Sequence, residues 1–258
     1  MIEIKLDQNV DIKGSTLIEG FPGIGLVGPM AISYIIDKLK MRQVGHIESP
    51  DFPPLIAIHS DKPMSPIRLY YNDKHKLFTI LAEFAIPAEL TYEISKTIFL
   101  FCKTNGVSRI VSIGGIPLQK PPAQQGVPIQ PAQVSNDVFA IASNDEMKNE
   151  AMKVGLKPVG EGVATGVSAL IMLEAVNDGI PAISLLVQVD PNMLDPKYAE
   201  LAIVGLNKLI NLGVDVNELD REAREVEAKI KELLKRNRDV QTVHKKAVED
   251  SAGPSMYA

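Results

Sequence analysis

The chain has 258 residues, 45% of them hydrophobic and 23% charged, which suits one large α/β domain with an appendage and is too apolar for a disordered polymer. Its formal net charge of −5 offers no chain-wide attraction to nucleic acid or to an anionic membrane, so neither is expected as a partner. The single cysteine, Cys102, excludes an internal disulfide and a cysteine-based metal site, and no stretch reaches the roughly 18 consecutive apolar residues of a membrane span.

The first six residues alternate as a strand does and lack the apolar run of a signal peptide, so a cytoplasmic location is expected. Residues 15–20 read as a short buried strand that turns through Phe21-Pro22-Gly23-Ile24-Gly25 into a helix ending near Lys40. Proline cannot sit comfortably inside the helix, so the start is expected near Pro29. Four strands follow without a helix, at 44–48, 55–59, 67–71 and 77–83, separated by turn-formers such as Pro53-Pro54 and Asn72-Asp73-Lys74. Residues 88–105 have helical periodicity, stop at Gly106 and lead into an apolar strand at 109–113.

Gly114-Gly115 then read as a turn, followed by a segment dense in proline and glutamine from Pro117 to Gln133, a loop length that usually signals function or mobility. Beyond it come a strand at 137–142, a helix at 145–154, a short strand near Pro158, a helix at 165–177, a buried strand at 182–189 and a helix at 196–212. Strands alternating with helices on both sides of the meander predict an α/β fold, a three-layer α/β/α sandwich on a mixed, mostly parallel sheet.

Residues 1–213 form the expected domain, 214–239 an amphipathic helix and 240–258 a flexible tail. The helix opens on Asp215 and Glu218, a capping-box pair, with Val214 and Leu219 spaced as a hydrophobic staple. Val216, Leu219, Ala223, Val226, Ile230 and Leu233 form a heptad seam, with Asn237 at the next position. Such a seam either pairs with a second copy as a coiled coil or packs on the chain's own domain.

Gly23-Ile24-Gly25-Leu26-Val27-Gly28 is a GxGxxG stretch, and Glu48 stands twenty residues beyond its last glycine, as an acid that holds a ribose does in dinucleotide-binding folds. The other reading is a turn whose glycines let strand and helix pack closely. A small-molecule or nucleotide-binding enzyme using this turn and Gly114-Gly115 is the alternative function. Against it, the histidines are scattered without ligand spacing, Ser168 lacks the second glycine of a nucleophile elbow, and no cofactor or metal is expected. Glu83 and Glu89, flanking Pro87, are the best acid candidates, although a solvated loop and a helix-capping role explain them equally.

The chain ends in Met256-Tyr257-Ala258 behind a Gly253-Pro254-Ser255 leader. A hydrophobic residue, a rigid ring with one polar handle and a terminal carboxylate read as a docking tail; a frayed terminus is the other reading.

The run Glu19-Gly20-Phe21-Pro22-Gly23-Ile24-Gly25-Leu26-Val27-Gly28, the turn Asp51-Phe52-Pro53-Pro54 and the stretch Ser112-Ile113-Gly114-Gly115-Ile116-Pro117 resemble the proteasome assembly chaperone family, chiefly its archaeal members, over roughly residues 10 to 215. The resemblance implies a fold similar to that of nucleoside phosphorylases, without established catalytic activity, and a homo-oligomeric chaperone. It also implies that the tail enters a pocket between neighbouring α-subunits of the 20S proteasome. In that role Met256 is the hydrophobic anchor, Tyr257 fills the pocket and the carboxylate of Ala258 pairs with a lysine.

Overall fold

The structure is a computed structural model that describes residues 1–6, 10–118, 135–191, 193–217 and 219. The strands are β1 (Glu3–Leu6), β2 (Thr16–Gly20), β3 (Arg42–Glu48), β4 (Ala57–His59), β5 (Lys62–Met64), β6 (Ile67–Asn72), β7 (Leu77–Ala82), β8 (Arg109–Pro117), β9 (Val138–Ala142), β10 (Lys157–Pro158) and β11 (Ala182–Val189). The helices are α1 (Val27–Lys38), α2 (Thr91–Thr104), α3 (Asp145–Lys153), α4 (Val167–Asp178) and α5 (Pro196–Ile210).

Nine strands form one sheet in the order β1-β3-β6-β7-β2-β8-β11-β9-β10, while β4 and β5 make a separate hairpin. The four central strands, β7, β2, β8 and β11, are mutually parallel. The meander β1-β3-β6-β7 is antiparallel, and β9 runs against β11 on the other side. The sheet is therefore mixed, with its parallel pairings concentrated in the middle, where crossover helices cover both faces.

Alternation along each central strand sends side chains to two cores. On one face Ile18, Val111 and Ile183 pack with Ile32 and Ile35 of α1, Met147 of α3 and Ile203 of α5. On the other, Leu17, Ile80 and Ile110 pack with Ile94, Ile98 and Phe99 of α2 and Ile171 of α4. The result is the expected three-layer sandwich.

Local sequence marks the helix ends. Asn144 caps α3 by accepting from the Met147 N–H at 2.9 Å, and Asp195 caps α5 by accepting from Lys197, with Pro196 in the first turn. Helix α4 stops at Gly179, whose φ of 76° is the left-handed conformation glycine adopts freely. Helix α1 starts at Val27, two residues before the expected Pro29, because proline within the first turn gives up an N–H that has no intrahelical acceptor.

Two strand expectations need correction. The strand expected at 55–59 is confined to Ala57–His59 and pairs only with β5, because Pro53 and Pro54 precede it and the turn at Ser60 and Asp61, both with positive φ, folds it back on Lys62–Met64. Gly114-Gly115 is no turn: β8 continues through both glycines to Pro117 and pairs with β11 from Ile110 to Pro117.

Most of the proline- and glutamine-rich segment and all of 220–258 lie outside the described residues, including the seam positions from Ala223 onward. Where that seam begins, Val214 and Leu219 are buried in the core shared by α1 and α5, and Val216 packs against it. Asp215 accepts from the Asn217 N–H at 2.9 Å, a turn-forming contact at the place where the capping pair was expected.

Candidate functional site

The glycine-rich turn after β2 is closed by backbone. A Cβ on Gly20 would lie 2.6 Å from the Gly28 backbone, and one on Gly28 would lie 2.7 Å from both Gly20 Cα and the Ile113 carbonyl oxygen. A Cβ on Gly115 would strike the Ile24 carbonyl, and Gly25, with φ of 71°, sits against the Val189 side chain. The glycines thus serve contact between the turn leading into α1 and strands β2, β8 and β11, the packing role weighed against nucleotide binding. Glu48 is separated from β2 by β6 and β7, roughly 14 Å across the sheet at 4.8 Å per strand, and is engaged by Lys5 and His46. It is not placed to hold a ribose on this turn.

Two buried polar clusters were not anticipated. Glu19 is fully buried near the end of β2. Its strand register sets it beside Ser112 of β8, which in turn lies beside Ser184 of β11. Ser168, in the first turn of α4, donates to Glu19 Oε2 at 3.0 Å, while Oε1 has no partner of good geometry among the described residues. Burial pushes the carboxyl up to about 7, opposed by hydrogen bonding from Ser168, Ser112 and the Phe21 backbone. Burial of Cys102, with the nearby Glu19 carboxyl, pushes its thiol up to about 12, so the cysteine is an inert core residue.

A raised carboxylate value in the folded state means that the native protein binds its proton more tightly than the unfolded chain. Glu19 therefore costs nothing while protonated in both states and destabilises the fold as pH rises through about 7. The expected loss between pH 5 and pH 8 is on the order of 3 kcal/mol from this group, and Glu19→Gln should flatten that part of the profile in urea-unfolding curves measured across the range. An unchanged pH profile in the variant would show that Glu19 ionises normally.

The second cluster joins the β4–β5 hairpin to the sheet. Along β6, Ile67, Leu69 and Tyr71 enter the core beneath α2, and Arg68 points to the opposite face, 2% exposed. Its guanidinium donates to Glu83 Oε2 at 2.6 Å, to the Ser65 carbonyl at 2.9 Å and to the Tyr70 hydroxyl at 2.7 Å. His59 of β4 lies 2.9 Å from Glu83 Oε1 and 3.1 Å from an Arg68 nitrogen. Glu83, the acid candidate after β7, is thus a buried ion-pair partner and not a group on a solvated loop; Glu89 is exposed in the first turn before α2. Burial alone would raise the Glu83 carboxyl, but hydrogen bonds from His59 and Arg68 and the Arg68 charge bring it below the usual carboxylate range.

A cleft of about 470 Å³ opens where α2 and α4 begin, between Ile86, Thr91, Tyr92, Thr165 and Leu170. Ser168 is helical, as its sequence context implied. Among the described residues no cluster of histidine, cysteine and carboxylates is placed to hold a metal ion, and no helix is long and apolar enough to cross a membrane. Met256, Tyr257 and Ala258 lie outside the described residues. The sequence did carry a signal for the two hidden clusters: a single carboxylate in the apolar Thr16–Gly20 strand, and an arginine in the apolar register of Ile67–Asn72.

These features define a three-layer α/β scaffold whose glycine-rich crevice is filled by its own backbone. The PAC2 family model matches residues 17–234, and the chain belongs to that family. An uncharacterized protein of Methanocaldococcus jannaschii, MJ0106, is 29% identical over 229 residues, covering 88% of this chain and 89% of the relative. Among solved structures, Pyrococcus furiosus PbaA, described as an archaeal homolog of proteasome-assembly chaperone, superposes with a TM-score of 0.78 at 25% identity over 95% of this chain and 100% of that one. PbaB of the same organism, described as an archaeal proteasome activator, shares the fold with a TM-score of 0.70 at 23% identity over 90% of this chain and 98% of that one.

Proposed function

We propose that this chain is a non-enzymatic, cytoplasmic, homo-oligomeric proteasome-binding protein, an assembly chaperone or activator-like binder of the 20S α-ring. The observation that carries this reading is the end-to-end likeness to PbaA, over 95% of this chain and 100% of that one. The closed glycine crevice supports it, since the glycines that invited a nucleotide reading are occupied in packing.

In this reading Met256, Tyr257 and Ala258 dock between α-subunits, with Met256 as the anchor, Tyr257 filling the pocket and the carboxylate expected at Ala258 paired with a lysine. One tail is a small contact that spends much of its interaction energy on lost freedom. Several tails on one oligomer raise the effective concentration over a ring of repeated pockets, so the assembly binds where a single tail does not.

The test is binding of purified 20S particles by the full chain, by a version lacking residues 256–258 and by Tyr257→Ala. The truncation is expected to lose at least about tenfold in apparent affinity, as the loss of multivalent contacts implies, and Tyr257→Ala most of that. Equal binding by all three overturns the tail assignment, and no binding by any overturns the partner.

A further inference from the structure

Helix α4 is apolar nearly all round. Val167, Ile171, Met172 and Ala175 fill the core, yet Leu173 and Val176 on its outer side are 53% and 51% exposed. On the neighbouring α2, Tyr92 and Leu100 are likewise exposed. Soluble monomers usually scatter such residues singly, and a surface helix normally turns charge to water. The charges bordering this face are Glu93, Lys96 and Lys103 on α2 and Glu174 and Asp178 on α4, and Glu93 is already engaged by the Ile2 N–H and the Met1 amino group. Lys103 and Asp178 pair with each other at 3.1 Å, Lys96 lies over the Tyr92 ring, and Glu174 makes no ion pair among the described residues.

The register of the two helices explains why Lys96 and Glu174 stay apart. Helix α2 leads into β8 and α4 into β11, and these strands are parallel, so the helices run in the same direction. Ser95 Oγ donates to the Val167 carbonyl at 3.2 Å, which sets Lys96 level with Ser168. Glu174 is then six residues further along, about 9 Å down the axis at 1.5 Å per residue.

We propose that the outer face of α2 and α4 is a contact between two copies of this chain, related by a two-fold axis that passes between the helices at the height of Phe99 and Ile171, midway between Lys96 and Glu174. Rotating the pair about that axis lays α4 of each copy across α2 of the other, so that Lys96 of each copy meets Glu174 of the other and Leu173 of each copy packs near Leu100 of the other. A two-fold contact needs a self-complementary surface, and this face offers an apolar centre flanked by one cation and one anion at equal heights on either side of it. The inference rests on the self-association included in the reading above, and it names a surface distinct from the 216–233 seam.

The test uses the full chain. Sedimentation is run on the wild type, Leu173→Asp, Lys96→Glu, Glu174→Lys and the double charge exchange, each checked for an unchanged circular-dichroism melt. Leu173→Asp is expected to weaken self-association at least tenfold and each single exchange several-fold, with the double exchange recovering most of the loss. Carbodiimide cross-linking of mixed light and isotope-labelled copies is expected to join Lys96 of one copy to Glu174 of another. A wild-type monomer, an oligomer indifferent to Leu173→Asp, or the absence of that cross-link overturns the proposal. Loss of 20S binding by Leu173→Asp without a change in mass overturns it too, by giving this face to the proteasome. Tail-dependent 20S binding is measured separately, so the surface and the tail assignments fail independently.

Discussion

Glu83→Ala is expected to cost about 3–5 kcal/mol of unfolding free energy, among the largest single effects available in this chain, because it strands the Arg68 guanidinium in a site from which water is excluded. Arg68 is 2% exposed and directs its donors at Glu83, Tyr70 and the Ser65 carbonyl, with His59 alongside. Removing the carboxylate leaves a buried cation without its counter-charge and frees the contact that ties the hairpin Ala57–His59 and Lys62–Met64 to the sheet. Removing both charges is a different experiment. Arg68→Met with Glu83→Leu takes away the desolvation penalty together with the attraction, so the double variant should recover most of the loss. Urea unfolding of the two singles and the double measures the coupling; a Glu83→Ala loss below about 1 kcal/mol would show that the pair is solvated. The pH dependence has a definite sign. The folded-state Glu83 carboxyl lies below its ordinary value, so its contribution is present at neutral pH and disappears as pH falls through the folded value, and Glu83→Gln should be less sensitive to acid there.

Periodicity made the helices and the central strands legible. Leu17 and Ile18, Ile110 and Val111, or Ala182 and Ile183 serve two cores at once, and such doubly buried strands read as continuous apolar runs. Helix α2 has an apolar stripe of Ile94, Ile98 and Cys102 that repeats every four residues. Strand neighbours were not legible, since the pairing of β2 with β7 on one side and β8 on the other depends on contacts dozens of residues apart. Gly114-Gly115 misled for a related reason: a glycine pair signals a turn locally, and only the approaching Ile24 carbonyl explains why glycine is needed inside a strand. Arg68 and Glu19 escaped because charge is read as exposure when the partner is far along the chain. Arg68 finds Glu83 fifteen residues on, and Glu19 meets Ser168 at a separation of 149. The resemblance carried by the Glu19–Gly28 run and the two later motifs led to the family, which periodicity alone had no means to supply.

Gly28→Ala is expected to destabilise the fold by about 3 kcal/mol or more, reversing the sign that helix propensity alone predicts. Gly28 is the second residue of α1, and alanine at an ordinary helical glycine gains roughly 1 kcal/mol. Here the added methyl would stand 2.7 Å from the Gly20 Cα and from the Ile113 carbonyl oxygen, which are backbone atoms with no rotamer through which to retreat. Relief requires moving α1 away from β2 and β8, which would open the core that Ile32 and Ile35 share with Ile18 and Val111. Gly20→Ala meets the same backbone from the other side, so the double variant should lose more than either single. Gly160→Ala is the control: nothing lies within 4 Å of its Cβ, and the expected change is within about 0.5 kcal/mol. Chemical denaturation of the three singles and the double decides the matter. A stabilised Gly28→Ala protein would mean that the turn can separate from the strand ends, and with it that the crevice is able to open for a ligand. A strongly destabilised one ties the Gly23 to Gly28 run to architecture, and leaves the surface of the domain, not its glycine turn, as the place where function resides.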